Sequence, residues 1–234
     1  RGISSNGAVT ISGGEVTAEG KICGIYGISS SGNIEITGGT VTGTGTGNYS
    51  YGISSNGAVI ISGGEVTAEG KICGIYGSTI EISDGEVTAK GGDYGIYSAG
   101  NISISGGTVT ATGTTSTGNY SYGIFGKNGV TISGGEVTAE GKIRGISSSS
   151  GNIEISGGIV EATGGFQGIS SKGAVIISGG KVTATGSYGI GSPYVTISGG
   201  EVTATGTRTG TGNYSYGIFG GSTVTISGGT VTAT

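Results

Sequence analysis

At 234 residues the chain has room for one large or two ordinary domains, but 58 glycines, 10% charged residues and a net charge of −4 narrow the choice. Leucine, methionine, tryptophan and histidine are absent and the β-branched residues Val, Ile and Thr abound, so no segment reads as a helix. A chain without a basic stripe has no hold on nucleic acid, and no apolar run approaches the roughly 18 residues of a membrane-spanning segment.

Three strand-like pieces recur in a fixed order. The first, a, is Gly-Ile-x, centred on Ile3, Ile25, Ile53, Ile75, Ile96, Ile124, Ile146, Ile169, Ile190 and Ile218. The second, b, is Val/Ile-x-Ile around Ile11, Ile36, Ile61, Ile82, Ile104, Ile132, Ile155, Ile177, Ile197 and Ile226. The third, c, is x-Val-x-Ala around Val16, Val41, Val66, Val87, Val109, Val137, Val160, Val182, Val202 and Val231. The b isoleucine and the c valine are five residues apart in every copy, with a Gly-Gly pair or Asp84-Gly85 between them. Successive a isoleucines are 21–23 residues apart, or 28 where a connection is longer. Strands alone at such a period predict a β-solenoid. The fold class is therefore all-β, a right-handed, three-sided parallel β-helix of about ten coils without helices. The hand follows from the general preference of parallel crossovers.

Alternation assigns the faces. Val9, Ile11, Val16 and Ala18 point inward, while Thr10, Ser12, Glu15, Thr17 and Glu19 point out. Ten coils at about 4.8 Å per step make a rod about 48 Å long. Cys23 and Cys73 occupy equivalent places two coils apart, which is about 9–10 Å and too far for a disulfide. Both are expected as free thiols packed like small apolar groups.

The c-to-a connection is longer at Thr44–Ser50, Thr112–Ser121 and Thr205–Ser215, each ending in Asn-Tyr-Ser-Tyr-Gly-Ile from Asn48, Asn119 and Asn213. Their Gly/Thr-rich parts read as flexible. Tyr51, Tyr122 and Tyr216, two residues before the a isoleucine, are expected to tuck toward the core; Tyr49, Tyr120 and Tyr214 are freer. Residues 1–27 and 51–77 are nearly identical, as after duplication of whole coils. The chain starts mid-repeat at Arg1 and stops after a c strand. We expect residues 1–234 to be a single solenoid cut from a longer array, with uncapped ends that favour end-to-end self-association.

Chemistry is sparse. The five glutamates Glu15, Glu65, Glu86, Glu136 and Glu201 share one solvent-facing column with no basic or aromatic setting, and Asp84 stands where nine other copies have glycine. No cofactor is expected. Calcium-binding nonapeptide repeats need an aspartate after their glycines, which these pairs lack, and two lone cysteines make no zinc site. Two faces are candidates for binding. The rings that follow the a isoleucine, Tyr26, Tyr76, Tyr97, Phe125 and Phe219, with the loop residues Tyr49, Tyr120 and Tyr214, suit stacking on sugar rings. The outward threonines Thr17, Thr42, Thr67, Thr88, Thr110, Thr138, Thr183, Thr203 and Thr232 form a column broken only by Glu161. Arrays of that type resemble the faces of ice-binding proteins, although Glu or Lys interrupts the flanking columns. The Asn-Tyr-Ser triplets are formal glycosylation acceptors and read as a by-product of duplication.

The β-helix architecture resembles that of pectin lyases and polygalacturonases, whose clustered acids this chain lacks; it is not expected to be an enzyme. The units Ile-Ser-Gly-Gly-x-Val-Thr-Ala-Thr-Gly, as at 197–206, and Tyr-Gly-Ile resemble repeats of large secreted or wall-attached bacterial β-helix proteins over essentially the whole chain. The resemblance implies an extracellular or cell-surface location. The resulting expectation is a stalk, adhesin or fibre-forming segment, with glycan binding as the first alternative and ice binding as the second. Surface glycans and other copies of the chain are its expected partners.

Overall fold

The computed structural model describes residues 1–27, 32–115, 120–207 and 214–234. Among these the chain is an all-β parallel solenoid of about nine turns. Ten copies of strand a make nine steps, and this is where the expected ten coils become nine turns. The a isoleucines pair in register from Ile3 through Ile96, Ile124 and Ile146 to Ile218. Strands b and c stack the same way, Ile104 on Ile132 on Ile155 and Val109 on Val137 on Val160. Like therefore packs on like, and most of these side chains are at most 1% exposed. No single coil could bury its thin apolar layer; each depends on its neighbours.

Two glycine positions shape the cross-section. At the b–c corner the second residue of the pair has φ between 76° and 101° in all ten copies, from Gly14 to Gly229. That left-handed backbone costs any L side chain about 1–2 kcal/mol, so glycine recurs there. The first residue of the pair is under no such constraint. Asp84 fits, its Oδ1 accepting a hydrogen bond from the Gly85 backbone N–H at 2.8 Å. In two coils b and c run together as one strand, Ala58–Glu69 and Thr79–Gly91, with local register shifts around Asp84 where the two pair.

The other position is the glycine before each a isoleucine. A Cβ on Gly123 would lie 2.6 Å from the Glu140 nitrogen and 2.8 Å from the Ala139 carbonyl carbon. Strands a and c converge at this place, with glycine on one side and the small Ala111, Ala139 and Ala162 column on the other. Glycine and isoleucine therefore both face inward in succession, and simple alternation fails there.

The two cysteines are buried and free, as expected. Burial pushes both thiols above their ordinary range, Cys73 most, and its Sγ lies 3.0 Å from the Ile75 carbonyl. The long connections are tied down by their serines: Ser50 and Ser121 are buried, and their Oγ atoms accept from the Lys71 and Lys142 backbone N–H groups at 3.1 and 2.9 Å. Residues 116–119 and 208–213, which include Asn119, Asn213 and much of the Gly/Thr-rich stretches expected to be flexible, lie outside the described residues.

Candidate functional site

The double inward step at Gly-Ile turns two columns outward side by side. One follows the isoleucine, the other precedes the glycine. This corrects the expectation for Tyr51, Tyr122 and Tyr216, which do not enter the core. The turn at the glycine swings their rings onto the outer face, against the rings that alternation had already placed there. Tyr122 is 5% exposed because other rings cover it, whereas Tyr216 is 37% exposed.

The two columns merge into one strip. Ring centres are 5.6 Å apart for Tyr51 and Tyr76, 5.3 Å for Tyr76 and Tyr97, and 5.4 Å for Tyr97 and Phe125. Tyr94 joins Tyr97 at 4.8 Å and Tyr122 at 5.5 Å. Tyr120 leans on both Tyr94 and Tyr122 at 6.3 Å. Further along, Tyr188 meets Phe166, Phe219 and Tyr216 at 5.3–5.5 Å, and Tyr214 meets Tyr216 at 6.3 Å. Offset and tilted contacts at these distances each add about 0.5–1.5 kcal/mol beyond area burial. Toward the start of the chain Tyr26 sits beneath the Arg1 guanidinium, 4.3 Å from its ring centre, and its hydroxyl takes a 3.4 Å hydrogen bond from Asn56 Nδ2. Tyr49 is 81% exposed at its loop tip.

Arg144 bridges the two aromatic runs. It occupies the column of Tyr122, and its guanidinium carbon lies 5.5 Å from the Tyr122 ring centre and 5.8 Å from that of Phe166. Its Nε donates to Gln167 Oε1 at 2.7 Å and its Nη1 to the Tyr122 hydroxyl at 2.9 Å. Of the expected rings, Tyr76, Tyr97, Phe125, Tyr120, Tyr214 and Phe219 belong to the strip, with Tyr26 and Tyr49 nearer its start. The sequence reading missed Tyr51, Tyr94, Tyr122, Phe166, Tyr188, Tyr216 and Arg144. For Tyr51, Tyr94, Tyr122, Tyr188 and Tyr216 the signal was present, since a tyrosine stands immediately before Gly-Ile in each case; Phe166 and Arg144 carried no such signal.

Phenol ionisation is coupled to this strip. Burial raises the pKa of Tyr51, Tyr94 and Tyr97, and neighbouring phenols and thiols add to the rise. A phenol whose folded pKa is raised contributes stability that is fully present below its ordinary value, about 10, and is lost as pH climbs toward the raised one. We expect an alkaline titration to show these phenols ionising late. Unfolding by denaturant should become easier only above about pH 10. Phenolate absorbance that rises as one normal step with unchanged stability would contradict this.

The threonines from Thr17 to Thr232 stand in one in-register column on strand c, broken at Glu161. Full ranks of three outward threonines occur at 40–44, 108–112 and 230–234; the first two have glutamate-bearing coils on both sides, and the third stacks on the coil of Glu201. Lys90 and Glu69 approach to 3.9 Å in the neighbouring column; both side chains are more than half exposed, so the pair contributes little. A groove of about 590 Å³ runs over strand b past Glu81, Ser103, Thr131 and Glu154. Three strand steps separate its two carboxylates, about 14 Å at the usual spacing. A glycosidase pair needs at most about 9.5 Å. Among the described residues no three potential metal-ligating side chains converge.

A family described as beta helix repeat matches residues 9–32, 59–78, 80–100, 102–124, 130–152, 153–174, 175–192, 195–222 and 224–234. No curated protein and no solved structure matches the chain.

Proposed function

The chain belongs to the beta helix repeat family, and from that premise we propose that it is a non-catalytic rod segment of a secreted or cell-surface bacterial protein. The observation that supports this best is the stacking: among the described residues the a isoleucines, b isoleucines and c valines pair coil on coil from the first coil to the last, with only local register shifts at Asp84 and at Ser192–Tyr194. The surface is mostly uncharged and polar, and the two carboxylates of the 590 Å³ groove are too far apart for paired acid–base work.

A second reading is favoured by the strip itself. Stacked rings beside serines and an arginine are suited to lie against sugar rings, which makes the strip a glycan-binding face. A glycan array separates the two readings. If the strip binds sugar, signals saturate and fall about tenfold in Tyr97→Ala, the order that one or two stacking contacts supply. A passive rod binds nothing saturably.

A further inference from the structure

Arg144 is the one interruption of the strip that carries charge, and its setting is unusual. It is half-buried between aromatic rings, and its Nε and one Nη1 proton are fixed by Gln167 and Tyr122. Three guanidinium protons remain. Among the described residues the one ion pair is Lys90 with Glu69, so no carboxylate neutralises Arg144. Cavities of about 230 and 300 Å³ open on either side of it, and neither has an acidic residue in its wall. The smaller one is bounded by Tyr120, Tyr122 and Phe125, by Lys172, and by Ser148, whose buried hydroxyl has no hydrogen-bond partner. In the same column Ser171 Oγ donates to the Gly151 carbonyl at 2.6 Å and Ser98 Oγ to the Ser78 carbonyl at 3.0 Å. Ser148 has lost that partner where the cavity opens.

We propose that this cavity is a subsite for a sugar bearing a carboxylate. The guanidinium, already oriented, offers the geometry that pairs with a carboxylate through two parallel hydrogen bonds. Lys172 adds a second positive charge at the rim, the rings receive the apolar face of the sugar, and the Ser148 hydroxyl takes one of its hydroxyls. The absence of acidic side chains leaves the field positive here on a chain of net charge −4. This subsite rests on the glycan-binding reading and narrows it to acidic glycans.

The test uses the full chain and short fragments of hyaluronan, polygalacturonate and polyglucuronate, each beside its carboxyl-reduced, neutral form. Calorimetry should show at least one acidic fragment binding about tenfold or more tighter than its neutral partner, a preference that fades with added salt. In Arg144→Gln the ratio of acidic to neutral affinity should fall to about one, whatever the change in the neutral form's own binding, and Arg144→Lys should restore only part of the ratio. If acidic and neutral forms bind the wild-type chain equally, the subsite is refuted and the glycan-binding strip stands. If no fragment binds saturably, both fall. The wild-type comparison holds whatever Arg144→Gln does to folding, and a thermal melt of that variant shows whether its loss of preference reflects the site.

Discussion

Gly145→Ala should lower the melting temperature of the chain by about 6–12 °C, a large effect for the addition of a single methyl group. The added Cβ would sit 2.6 Å from the Thr163 nitrogen, 2.7 Å from the Gly168 oxygen and 2.9 Å from the Ala139 oxygen. All three are backbone atoms of strands already fixed in their ladders, so none can rotate away. Overpacking usually costs about 1–3 kcal/mol, and a clash with backbone alone belongs at or above the upper end. Each kcal/mol is worth about 2–4 °C in a chain of this size. Gly13→Ala is the matching control, because a Cβ there meets nothing within 4 Å and the backbone is not left-handed. Calorimetry on the two variants decides the matter. Equal melting temperatures would mean that strands a and c converge loosely enough to admit a methyl group.

Ile124→Ala should act by the opposite route, through loss of packing. Ile124 is fully buried, and its column neighbours are Ile96 and Ile146. Truncating such a side chain typically costs about 2–5 kcal/mol, the spread reflecting how far the surroundings can close on the cavity. In a stack of repeats the damage should stay local. Hydrogen exchange should therefore accelerate in the strands Tyr94–Ser98, Tyr122–Gly126 and Arg144–Ser148, while the strands around Ile25 and Ile197 keep their protection. Uniform acceleration along the chain would show instead that the rod unfolds as one unit. Thr138→Ala, on the outward face, should change stability by no more than about 0.5 kcal/mol.

The core was legible because its rules are local. Alternation placed Val16 and Ala18, and the constant five-residue step from Ile11 to Val16 marked the corner. The recurrence of Ile3, Ile25 and their successors at a near-constant interval dictates the stacking. Tyr122 was misread for an equally local reason: the rule of alternate faces holds only while the backbone stays extended, and Gly123 bends it. Arg144 was invisible for a different reason. Its meaning depends on Phe166 and Tyr122, one coil to either side, and on the shared register that brings residues some 22 apart into contact. The threonine column was easy to see, as regular patterns are; the strip mixes rings with arginine, glutamine and cysteine in one column, and no pattern search rewards that.

The register has a mechanical side. Hydrogen bonds between coils run along the axis of the rod, so a pull on the two chain ends loads one boundary at a time and peels a coil from the stack. Each coil of 21–28 residues then yields roughly 70–100 Å of slack chain in place of about 5 Å of rod. A segment built this way is stiff under small loads and lengthens many-fold under large ones, giving way in increments rather than snapping.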